Sequence, residues 1–99
     1  MTRRPDPSAI AVRHNPEASR FEAVVEGRLC VADYALIDGV LWMTHTGVPA
    51  AIAGRGIAGA LVKEALAWAD AQGLTVHPAC SYVSAWMRRH PPGADGVRE

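Results

Sequence analysis

The sequence predicts an α+β fold, or an α/β fold with a mixed sheet, built as an antiparallel β-meander followed by helix, strand and helix. Two observations carry this. Between Arg20 and Thr46, runs rich in strand formers are broken by Glu26-Gly27 and Asp38-Gly39, and Asp-Gly between apolar runs is a strong hairpin signal. From Ile57 onward the apolar residues switch to helical spacing, and a short strand and a second helix follow.

In chain order, residues 1–8 are polar and hold two prolines, which reads as a frayed terminus. A short strand over Ile10 to His14 is expected, then a turn at Asn15-Pro16-Glu17. Phe21 to Val25 and Leu29 to Ile37 are the next strands. Val40 to Thr46 opens with a continuous apolar run, the pattern of a central strand covered on both faces. Pro49 ends it. Ile57, Ala58, Leu61, Val62, Ala65, Leu66 and Ala69 form one helical stripe, with Lys63, Glu64 and Asp70 off it. Gly73 is a natural stop beyond the helix. Thr75-Val76-His77 is a short strand closed by Pro78. Ser81 can cap a second helix running to about His90, with Arg88, Arg89 and His90 suiting its negative end. One domain over residues 9–91 and a tail over 92–99 complete the division.

Ninety-nine residues leave no room for a separate substrate domain. Ten basic and ten acidic residues cancel, so the chain carries no electrostatic footprint for nucleic acid or an anionic membrane. The charged start lacks an apolar segment of the signal-peptide kind, and no run approaches the roughly 18 apolar residues of a membrane span. Two cysteines, Cys30 and Cys80, are too few for a disulfide framework. The chain reads as cytoplasmic with both thiols reduced.

Gly54-Arg55-Gly56-Ile57-Ala58-Gly59 matches G-x-G-x-x-G. A dinucleotide fold needs that loop in the first βα turn of a parallel sheet, with an acidic residue about 20 positions on. Here hairpins come first and Asp70 lies inside the helix, which argues against NAD. No Lys-Ser or Lys-Thr follows, so a Walker loop fails too. Glycines at a helix start nonetheless let backbone N–H groups approach an anion, where the dipole adds about half a positive charge. Arg55 can add a phosphate contact. The competing reading is a plain tight turn.

With these residues in view, the chain resembles the GCN5-related N-acetyltransferases. Their coenzyme A signature is strand, (Gln/Arg)-x-x-Gly-x-(Gly/Ala), helix. Gly56-Ile57-Ala58 matches its second half, while Ala53 stands where the signature has Gln or Arg. The resemblance is closer to small stand-alone minimal acetyltransferases. It runs over His45-Thr46-Gly47-Val48-Pro49, Gly54 to Ala58, Pro78-Ala79-Cys80-Ser81-Tyr82-Val83 and Arg89-His90-Pro91. After Pro91 the family continues with Glu-Tyr and a short apolar segment, a pattern that Pro92-Gly93-Ala94-Asp95-Gly96 does not follow, which leaves a final strand open. The resemblance implies a minimal fold of that type and acetyl-coenzyme A as the acetyl donor. It also implies an amine acceptor on a small molecule or a protein. In that superfamily a backbone N–H holds the thioester carbonyl where the strand before the loop splays from its neighbour, which implies Thr46, Gly47 or Val48.

For the chemistry, Cys80 lies near a helix N-terminus, a position that lowers a thiol's pKa. It can take the acetyl group or protonate the coenzyme A thiolate, or it can be a small buried hydrophobe. His45, at the end of its strand, can act as a base near neutral pH or be structural. Ser81 and Tyr82 can touch the pantetheine arm or serve as capping and packing groups. Cys30 reads as core. His77-x-x-Cys80 lacks a second ligand pair, so no metal is expected. Trp42, Trp68 and Trp86 read as core or interface, and three in so short a chain make a homo-oligomer an option. The alternatives to catalysis are a coenzyme A-binding module or sensor, and a nucleotide-binding or structural partner domain.

Overall fold

The computed structural model describes residues 10–90. Expectations for the first eight residues, for Pro91, for the tail and for a final strand lie outside the described residues. Five strands form one sheet in the order β1-β2-β3-β4-β5: β1 Arg13–Asn15, β2 Arg20–Val25, β3 Arg28–Ile37, β4 Val40–Gly47 and β5 Thr75–His77. β1 to β4 pair antiparallel and β5 joins β4 in parallel. Helix α1, Ile57–Ala71, makes the crossover from β4 to β5, and α2, Ser81–Arg89, follows. The mixed sheet with two helices is the expected α+β fold.

Both meander turns place two successive residues at positive φ, Glu26-Gly27 and Asp38-Gly39. That is the backbone a two-residue hairpin needs to follow the right-handed strand twist. β1 is shorter than expected and begins at Arg13, although Ile10 and Val12 still pack on the core. Asn15 explains the turn that follows: its Oδ1 accepts from the Ala18 N–H at 3.3 Å and caps a single 3-10 turn, Pro16–Ala18.

Helix α1 buries the expected stripe through Ile57, Leu61, Val62, Ala65 and Ala69, with Ala58 and Leu66 half-buried. These side chains meet Phe21, Ala23, Cys30, Ala32, Leu41 and Met43 of the sheet. Full burial of a Leu- or Val-sized chain is worth about 1.5–3 kcal/mol each, so this layer dominates stability.

Two expectations are corrected. β4 is not covered on both faces: Leu41 and Met43 are fully buried, but Val40 and Trp42 are only half-buried. Both helices pack on the Leu41/Met43 face, and Trp42 on the other face packs against His77 of β5, with ring centroids 4.2 Å apart. Second, Ser81 does not cap α2. Cys80 does, as an extended residue at φ −84°, ψ 133°, with Ser81 as the first helical position. The reason is a tertiary contact: Cys80 N–H donates to the Met43 carbonyl at 2.8 Å, pinning residue 80 outside the helix.

Candidate active site

The site begins with a parity change in β4. Tyr34 pairs with Met43, but Asp33 pairs with His45, so Thr44 is an extra residue. Such a bulge shifts the alternation of side chains by one. Before it Met43 faces the helices; after it Thr46 does, opposite the fully buried Ala32. His45 is turned to the other face opposite Asp33. The structure therefore separates His45 from Cys80. The His45 imidazole lies over Gly47, with Nε2 3.1 Å from where a Cβ on Gly47 would stand.

β4 and β5 remain paired only from Val40/Thr75 to Trp42/His77. Beyond that point β4 continues to Gly47 while the other chain turns into α2, and the strands splay. Cys80 sits in this opening. Its Sγ is 3.2 Å from Thr46 Oγ1. Its side chain makes no geometrically complete capping bond, so the N–H groups of Tyr82 and Val83 act on the sulfur as nearby dipoles. Partial burial pushes the thiol up. The Thr46 hydroxyl, with the N–H groups of Val83, Tyr82 and Thr46, outweighs that and holds it below the ordinary cysteine value. Cys30 is the opposite case, fully buried and pushed up by desolvation.

The start of α1 packs against α2, the helix that opens at Cys80. Gly56 is its N-cap at φ +77°, in the left-handed region. The first bond of the helix is Ala60 N–H to the Gly56 carbonyl at 3.0 Å, which leaves the N–H groups of Ile57, Ala58 and Gly59 without intrahelical acceptors. This donor set, with Gly54 also at positive φ, fits a phosphate group. Arg55 at the loop tip pairs with Glu26 in the β2–β3 turn. That partner holds the Glu26 carboxyl below its usual range.

The remaining expected residues divide by what they touch. The Ile57 side chain is core. Val48 packs against the core, and Ser81 is exposed. Gly59 brings α1 against α2: a Cβ there would lie 3.3 Å from Trp86 Nε1 and 3.6 Å from Tyr82 Oη. Tyr82 and Trp86 thus face the α1 start, and Trp86 is stacked on His90 at 4.0 Å between centroids. Reading the sequence alone missed the Thr46 side chain, which entered only through its backbone. No group of three metal-binding side chains occurs among the described residues. No described helix is long and apolar enough to cross a membrane.

A meander, a splayed parallel pair and a helix start with free N–H groups make up this α+β mixed-sheet fold. The family model of the GCN5-related N-acetyl-transferases matches residues 20–95. The chain belongs to that family, and its general chemistry is acetyl transfer. No curated protein is similar enough to the chain to be matched with it.

Proposed function

We propose that the chain moves an acetyl group from acetyl-coenzyme A to an amine through Cys80. The observation that carries this reading is the placement of Cys80 Sγ in the β4–β5 splay, among donors that favour negative charge on sulfur. Acetyl-coenzyme A supplies an activated thioester and a pyrophosphate. The N–H groups of Ile57, Ala58 and Gly59 would hold the pyrophosphate. Arg55 can leave Glu26 for a phosphate, since an exposed ion pair is worth little.

Holding the thiol below its ordinary value raises the share present as thiolate, the form that attacks a thioester, and this favours covalent transfer. Cys80 Sγ attacks the thioester carbon, a new S–C bond forms, and the old one breaks with its electron pair leaving on the coenzyme A sulfur. The acceptor amine then attacks the acetyl-cysteine carbon. Cys80 departs as thiolate, and the amine's proton passes to solvent. His45, on the other face, has no place in either half.

Calorimetric titration with acetyl-coenzyme A, coenzyme A and NAD tests the first half, with NAD expected to bind far more weakly. Mass spectrometry after incubation with acetyl-coenzyme A should find the acetyl group on Cys80. Iodoacetamide near neutral pH should label Cys80 at least tenfold faster than Cys30, and coenzyme A should protect it. A Cys80→Ala protein that keeps full turnover would exclude the covalent route and leave direct attack by the amine.

A further inference from the structure

We infer that the Thr46 side chain is a positioning residue for Cys80, delivered to it by the bulge at Thr44. Were the pairing regular, with Thr44 opposite Asp33 and no bulge, strand alternation would turn Thr46 to the helix-free face and His45 toward the sulfur instead. With the bulge, the Thr46 hydroxyl is the side chain that meets Cys80 Sγ, at 3.2 Å. A thiolate has no proton to give, so in the reactive form the hydroxyl donates and the sulfur accepts. A bond to an ionised acceptor is roughly twice as strong as one between neutral groups, so it favours the thiolate over the thiol. It also fixes the direction in which the sulfur points, into the opening between β4 and β5.

The surroundings leave this role to Thr46. The described groups around the sulfur are neutral: the Thr46 hydroxyl and the N–H groups of Thr46, Tyr82 and Val83. His45 lies across the sheet opposite Asp33, and His77 lies there too, packed on Trp42. Tyr82 points its hydroxyl at Gly59, and Arg88 and Arg89 are in the last turn of α2, remote from its start. Among the described residues, no histidine is hydrogen-bonded to this sulfur.

The inference rests on the reading of Cys80 as the acetyl carrier, but its test needs no acyl donor. The rate of Cys80 alkylation by iodoacetamide is followed against pH in the whole protein, with Cys30 as an internal report on folding. Thr46→Val keeps shape and strand preference and removes the hydroxyl; Thr46→Ser restores it. Thr46→Val is expected to slow alkylation near neutral pH about tenfold, the scale of one lost bond to a charged group, and to move the profile to higher pH. Thr46→Ser should follow the wild type. In both variants Cys30 should stay unlabelled; if Thr46→Val exposes it, the comparison rests on Thr46→Ser and Thr46→Ala. A Thr46→Val profile that superimposes on the wild type overturns the inference. So does a serine variant as slow as the valine one. If the profile moves as expected but the wild type never acquires an acetyl group, Thr46 still orients the thiolate, and it is the acetyl-transfer reading that fails.

Discussion

Replacing Gly56 by alanine tests the helix start on which the phosphate reading depends. Gly56 has φ +77° and lies outside α1, so alanine gains nothing from helix propensity there. It takes on the cost of a left-handed L-residue, about 1–2 kcal/mol. A domain of this size loses roughly 4–8 °C of melting temperature per kcal/mol, so a fall of about 5–15 °C is expected. Valine should cost more, because a β-branched residue at positive φ is a true outlier, and asparagine less, because it tolerates this region. A Gly56→Val protein would therefore be unsuitable for asking about binding alone. Thermal unfolding followed by circular dichroism measures the series, and Gly54→Ala, at φ +84° with open space around it, should show a similar loss. Coenzyme A titration of the folded Gly56→Ala protein should show weaker binding, since the methyl group sits beside the first free N–H groups. Equal melting temperatures for glycine, asparagine, alanine and valine would refute the left-handed helix start.

Two further predictions concern pH. Hydrogen bonds from Arg13, Arg20 and Asn15 hold the nearly buried Glu22 carboxyl down to about 2. A depressed carboxyl pKa contributes stability above the unfolded value of 4.5, and that contribution disappears as pH falls from there toward about 2. Glu22→Gln should flatten this part of the stability profile, and an unchanged slope would dismiss the cluster's role. His14 bonds the Tyr34 hydroxyl at 2.7 Å and stacks on Phe21, and burial lowers its pKa below 6.5. For a base held neutral by the fold, stability is complete above 6.5 and lost as pH falls through the lower folded value. Tyr34→Phe, which strands the His14 nitrogen, should cost about 1–3 kcal/mol by urea unfolding at neutral pH. A neutral substitution would mean that water replaces the hydroxyl.

The meander, the α1 stripe, the Gly73 stop and the glycine loop were legible in the sequence because each is set by neighbours a few residues away. Turn residues at positive φ and a 3.6-residue period are properties of the local chain, and they predict Glu26-Gly27, Asp38-Gly39 and Ile57 to Ala69 without reference to anything distant. The side chains of the candidate site were a different matter. Period-2 alternation through Val40 to Thr46 has no mark at Thr44 that announces an extra residue, yet that residue decides which of His45 and Thr46 reaches Cys80. Ser81 has the better capping side chain, but the Met43 carbonyl takes the Cys80 N–H and moves the helix start by one. Arg55 has the charge to meet a phosphate, and its pairing with Glu26 depends on a hairpin 29 residues away. The sequence by itself determined the elements and the acetyltransferase resemblance, through local backbone preference and ordered motifs. The tertiary structure decided which side chains share the cleft, because strand register and the β4–β5 splay are fixed only when distant segments pair.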